Sequence, residues 1–427
     1  MSRNLLFSRF YYSLIGIALV SIPFTPLLFY FITPLLLIFW IVEGDWKNKW
    51  IRFKESPVFI ITCCLALFWF VNLLGLSHSN YLVRGVMRTF DKLPFLVFPL
   101  LFFTLNKSFF TQRKIYTLLH GFLIAVVVML CISWGNAILQ YSITGKTSVF
   151  YYIHLTKYFG HPSYCSMIVC IAFTVASYYF THSQKTQASF LFSPVLYRLL
   201  LVGVLVFCAL SIYFFQSRAG FLAFIVVLIF SSFLYFYTYK KSFLYALAGL
   251  LILFFVTAFI LNSLPNRAGR FFKVITTKDV PMNSILGSRS NIWNKTYTLA
   301  KEHKWLGIGT GYYPDSYVIE EDVELLAKHN TFINAHNQFL QTFLEHGILG
   351  FFVLLFLVVY SFYFAFKKRD YLLFMLMINV FINLFFESMF ERAHGIFAFT
   401  LFYCIFIVKN NIFALDFKKM KCHNKEH

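Results

Sequence analysis

The chain has 427 residues, of which 59% are hydrophobic and only 13% charged, far from the roughly 25% charged typical of soluble domains. That apolarity, together with a formal net charge of +20, excludes a soluble globular protein and describes a polytopic membrane protein. The charge itself divides between the two sides of the membrane, and a nucleic-acid partner is not expected.

A membrane-spanning helix needs about 20 apolar residues. Runs near 11–24, 26–42, 57–74, 91–105, 115–139, 163–181, 199–215, 219–237, 243–261, 347–366, 371–386 and 393–408 predict an all-α chain of about twelve transmembrane helices. Arg3 and Arg9 precede the first run as in a secretory signal, but no small-residue cleavage site follows. Pro23 and Pro26 mark a tight turn into the second run instead.

With the N-terminus inside, the cytoplasmic loops hold Lys47 to Lys54, Lys107 to Lys114, Lys185 with Arg198, Lys240-Lys241, Lys367-Lys368-Arg369 and the tail from Lys409 to Lys425. Every one is basic, as the positive-inside rule expects, and an odd error in the helix count would scatter these clusters over both faces. Both termini are therefore expected in the cytoplasm. Such cations also attract anionic lipid. The predicted organisation is nine spans over 1–261, an extracytoplasmic loop with short interfacial helices over 262–346, three spans over 347–408 and a basic tail over 409–427.

Cations on the outer side run against the rule. Arg84, Arg88, Lys157, Arg218, Arg267, Arg270, Lys273, Arg289 and Lys295 all fall there. A guanidinium presents a planar fork that matches phosphate oxygens, so a basic outer cavity suits an acidic ligand. Arg218, in Gln216-Ser217-Arg218-Ala219-Gly220, lies between two apolar runs, and an ionisable group at a membrane helix end reads as functional. The cysteines lie in or beside spans, except Cys422 in the tail, and read as small buried hydrophobes without disulfide or metal.

Other polar features have two readings. In Phe159-Gly160-His161-Pro162-Ser163, the histidine either caps the next helix or contacts substrate. Within the long loop, 267–274 and 289–303 have the spacing of short surface helices, separated by Pro281 and Gly287. The run Leu306 to Tyr312 holds three glycines and reads as a turn, or as backbone that closely approaches a ligand. Glu320-Glu321-Asp322-Val323-Glu324 reads as a solvated face, and Glu387, Glu391 and Arg392 as an interfacial paired cluster. His336 begins a helix in Ala335-His336-Asn337-Gln338-Phe339-Leu340. Its imidazole is either satisfied by backbone or accepts a proton near neutral pH.

In this order, Ser217-Arg218-Ala219-Gly220, Arg289 four residues before Trp293, the Gly307-Ile308-Gly309-Thr310-Gly311 turn, and His336-Asn337-Gln338-Phe339-Leu340 leading to Glu345-His346-Gly347-Ile348-Leu349-Gly350 resemble the O-antigen ligase and polymerase superfamily of bacterial envelope enzymes. The resemblance covers roughly 160–360. It implies a GT-C-like glycosyltransferase of the bacterial inner membrane. Such an enzyme transfers glycan from undecaprenyl pyrophosphate to an acceptor such as lipid A-core, on the outer face, with inversion and without metal or other cofactor. Carried over residue by residue, His336 is the catalytic base, Arg218 and Arg289 bind the pyrophosphate, and His161, Asn337, Arg267 and Arg270 are further candidate substrate contacts. A polysaccharide polymerase or a protein O-oligosaccharyltransferase would share the donor and differ in acceptor. The rival from another class is a lipid or glycan transporter, whose binding groups tend to lie at broken helices near the midplane. Span interiors almost free of charge speak against it.

Overall fold

The computed structural model describes residues 3–54, 56, 58–106, 109–182, 193–239, 289–312 and 334–423, and over these the chain is helical with no strand. The predicted span 243–261, the loop segment 267–274 and the acidic run 320–324 lie outside the described residues, as do Arg267 and Arg270.

Helices form where the apolar runs predicted them, but several are shorter than a bilayer. The first is α1 (Arg3–Ser21), followed by α2 (Phe29–Glu43) and α3 (Trp46–Lys54), which folds back on α2 at 112°. The basic segment predicted as a loop is thus helical, and Lys49 is buried against it, donating to the Trp40 carbonyl at 2.6 Å and pairing with Glu43 at 2.8 Å. Next come α4 (Phe59–Leu74), α5 (Leu82–Asp91) and α6 (Pro94–Thr104). Where one span over 91–105 was predicted, α6 has 11 residues, about 16 Å of helix against a hydrocarbon core of roughly 30 Å. Pro94 sets its start.

Full-length helices follow: α7 (Gln112–Thr144), α8 (Pro162–Thr181), α9 (Pro194–Phe215) and α10 (Arg218–Tyr239). After α11 (Arg289–Glu302), on the segment predicted as a surface helix, come α12 (Gln338–Lys368), α13 (Tyr371–Phe386) and α14 (Ala393–His423). Six helices among the described residues are long and apolar enough to cross a membrane, or seven if the bent α2–α3 pair is one span. The chain is a multi-pass membrane protein, and the expected count of twelve is not reached by this measure. The shortfall lies at α1, α6, α13 and α14, whose apolar stretches are short, and at 243–261.

α8 is the hub, packed by α9, α10, α13 and α7. Its small and polar residues, among them Ser166, Cys170, Ala172, Thr174 and Ala176, are all buried and permit close approach. Gly220 of α10 sits so near Ser166 that a β-carbon there would overlap its side chain. Asn379 of α13 donates to the Met167 carbonyl at 3.0 Å, a polar tie where lipid offers no competing water.

α12 is broken. Gly347 has φ 60° and ψ −156°, and the carbonyls freed around the break are taken by the glycine-rich turn: Ile308 N–H donates to the Leu344 carbonyl and Gly309 N–H to the Glu345 carbonyl, both at 2.9 Å. Gly307, Gly309 and Gly311 all have positive φ and pack against backbone, respectively at Glu345, Ser79 and Gly85. The close approach expected of this turn is made to the protein's own segment 75–85 and to α12, in keeping with its reading as a turn.

Candidate active site

At the end of the bundle that the charge pattern assigns to the outside, the starts of α8, α10, α11 and α12 meet the segment between α13 and α14. Each position is set locally. Gln216, left-handed at φ 50°, ends α9, and Ser217 accepts the Gly220 N–H at 3.2 Å to open α10, which leaves Arg218 exposed on its first turn. Asn337 accepts the Leu340 N–H at 3.0 Å and caps α12. His336, immediately before it, adopts φ 46°, held by its N–H to Asn334 Oδ1 at 3.0 Å. The neighbouring Ala335 is pinned on both sides, its N–H by Gln341 Oε1 and its carbonyl by the Trp293 indole, each at 3.0 Å.

The centre of the arrangement is Glu387, at the C-terminal end of α13. Its Oε2 receives His336 Nδ1 at 2.8 Å, its Oε1 receives Arg289 Nη2 at 2.6 Å, and Ser163 Oγ donates to Oε1 at 3.3 Å. Ser217 Oγ donates in turn to Ser163 Oγ at 3.4 Å, which links the Arg218 junction to the same carboxylate. Burial would raise the Glu387 pKa, but the hydrogen bond and charge of His336, with Arg289 and His161 behind them, hold it below its ordinary value. An ionised Glu387 can only accept, so Nδ1 carries the proton of this bond, and the neutral tautomer that makes it has its lone pair on Nε2. Among the described residues no other hydrogen bond engages the His336 ring, which is one-third exposed. Such an imidazole can take a proton from a hydroxyl presented at Nε2.

The structure therefore unites three residues singled out in the sequence, His336, Arg289 and, through two serines, the Arg218 junction. His161 joins them as the N-cap of α8: its Nδ1 accepts the Ser163 N–H at 3.3 Å, while its Nε2 lies 3.4 Å from the Tyr152 hydroxyl. Protein packed around the ring lowers its pKa, so it is neutral at neutral pH. Asn337 is 5% exposed and occupied as a cap, a role that explains its place in the motif without substrate.

Residues 203–355 match the family model described as O-Antigen ligase, a segment that contains Arg218, Arg289 and His336. This match supports the O-antigen ligase and polymerase superfamily over that segment of the chain. No curated protein matches it.

One expectation about this site needs correction. Glu387 and Glu391 do not form an exposed interfacial cluster with Arg392. Both carboxylates are buried, at 5% and 1% exposure, while Arg392 is exposed. A second buried charged cluster lies at the ends of the helices rather than within the spans. Lys92, 1% exposed, pairs with Glu391 at 2.8 Å and with Glu345 at 3.8 Å, and donates to Asn72 Oδ1 at 2.7 Å. His346 Nε2 joins the same Asn72 oxygen at 3.0 Å. Glu387 lies outside the matched segment, yet one signal pointed to it: Asn379, Asn383 and Glu387 recur every fourth residue in an otherwise apolar run, and so form one polar stripe along α13.

Proposed function

We propose that the chain is a metal-independent, inverting glycosyltransferase of the O-antigen ligase type. It moves a glycan from undecaprenyl pyrophosphate to an acceptor, lipid A-core in the ligase version, at the outer face of the bacterial inner membrane. The observation that carries this reading is the bond from His336 Nδ1 to the buried Glu387 carboxylate, with Arg289 on the same carboxylate.

His336 Nε2 removes the proton of the acceptor hydroxyl as its oxygen attacks the anomeric carbon. The bond from that carbon to the pyrophosphate breaks and its electron pair leaves on the pyrophosphate oxygen, so the configuration inverts. Arg289 spends one N–H on Glu387 and retains others for phosphate, and Arg218 brings a second guanidinium at the α10 start. Fixed cations stabilise charge that grows on the leaving group, which then needs no general acid. Arg267 and Arg270 are proposed as further phosphate contacts from the same loop, and His161 as a neutral polar contact at the rim.

The reading is tested by gene deletion with inspection of surface glycan. Long chains stranded on the lipid carrier identify a ligase of lipid A-core, single repeat units a polymerase, and loss of glycan from proteins a protein-modifying ligase. Unchanged glycan of every kind would refute the proposal. Purified protein that carries labelled lipid across a liposome bilayer without joining glycan to any acceptor would establish the transporter instead.

A further inference from the structure

Gln338 lies two residues beyond His336, on the first turn of α12, with no exposed surface. Both ends of its carboxamide are engaged. Oε1 accepts the backbone N–H of Phe390 at 2.7 Å, and Nε2 donates to Glu391 Oε1 at 3.0 Å and to Thr342 Oγ1 at 3.2 Å. Phe390 and Glu391 belong to the single turn Met389–Glu391 that begins two residues after Glu387. Segments 336–338 and 387–391 are thus tied twice, once by His336 on Glu387 and once by Gln338 on 390–391.

The two ties differ in their exposure to water. His336 is one-third open, so water competes for its bond to Glu387. The Gln338 bonds are sealed, and breaking them would strand buried polar groups with no water to replace the lost partner. The far side of the lock is anchored as well: Lys92 holds Glu391 Oε1 at 2.8 Å, and Arg88 Nη1 donates to the Glu391 carbonyl at 2.6 Å. Gln338 is too deeply enclosed to touch substrate, yet it fixes the segment that carries Glu387.

We propose that Gln338 is a positioning residue for transfer: its carboxamide, with Glu391 anchored on Lys92, holds 387–391 so that Glu387 meets His336 Nδ1 and leaves Nε2 toward the acceptor. This rests on the reading of His336 as the base. A displacement of about 1 Å at the reacting groups can cost ~10²-fold in rate, so a lock that limits the Glu387–His336 separation acts on turnover rather than on donor binding.

The test uses full-length protein in nanodiscs, with undecaprenyl-pyrophosphate-linked glycan as the probe. Gln338→Met keeps the volume and removes both bonds. Single-turnover transfer should fall by about tenfold or more while donor affinity holds within about twofold. In a His336→Ala background the same substitution should add no further loss, because Gln338 acts through His336. Equal losses in both backgrounds, or wild-type transfer by Gln338→Met alone, would overturn the proposal. Gln338→Asn, one methylene shorter, makes the same comparison if the methionine variant accumulates poorly. Wild-type transfer by the single His336→Ala variant would remove the base reading and this proposal with it, a failure visible before Gln338 is changed.

Discussion

Glu387 shows how little of a residue's role is fixed by its type. At a helix end in water its carboxylate would be one of many; here it is buried and bonded by an imidazole, a guanidinium and a hydroxyl. Its folded-state pKa lies below the ordinary 4.5. The ionised form therefore contributes stability that is present above the unfolded value and is lost as pH falls through the folded one. Thermal unfolding in detergent between pH 7 and pH 3 should show the wild type losing stability below about pH 4.5, with Glu387→Gln showing a flatter profile. A matching slope in both proteins would mean that Glu387 is not ionised in the fold. The same variant should lower transfer by at least ~10-fold, since a carboxamide can offer its N–H to Nδ1 and select the wrong tautomer.

His336 and Arg218 divide the work differently. His336→Ala removes the proton acceptor alone, so turnover should drop by roughly 10² or more with donor binding retained. Arg218→Lys keeps a charge and loses the fork, so donor binding and turnover should fall together. Donor affinity and single-turnover transfer, measured for both in nanodiscs, distinguish these outcomes. A histidine variant that loses donor binding would move that side chain into the binding set.

At the scale of elements, the broken α12 and the glycine turn form one construction. Gly347 frees carbonyls, the turn at 307–311 supplies N–H groups to them, and Thr310 anchors the turn through its hydroxyl, which donates to the Asn72 carbonyl at 2.5 Å. Gly307, at φ 73°, stands against the Glu345 backbone, where a β-carbon would collide with atoms unable to rotate away. Gly307→Ala should therefore destabilise the protein by about 2 kcal/mol or more, from left-handed strain together with the overlap. A lowered melting temperature and faster proteolysis at 303–311 would show it. Gly203→Ala, where a β-carbon meets nothing within 4 Å, serves as the control and should melt like the wild type.

For the whole molecule, charge decides orientation before any packing is known. A reporter active only outside the cytoplasm should be active when fused after Asn283 or Lys328 and silent after Lys241 or Lys368. Activity at Lys241 would break the predicted alternation. Long apolar runs and basic loops are local properties of the chain, which is why the multi-pass membrane class and the positions of most described helices were legible in the sequence. Short motifs in the sequence also single out Arg218, Arg289 and His336. What the tertiary structure alone decided is which groups meet. Glu387 lies 51 residues from His336 and 98 from Arg289, and Lys92 lies 299 from Glu391. No local pattern encodes pairings across such separations, because they arise from how α11 packs on α12, α12 on α13 and α13 on α8. The buried state of those carboxylates follows from that packing as well, and with it the change of Glu387 from a surface charge to the partner of His336.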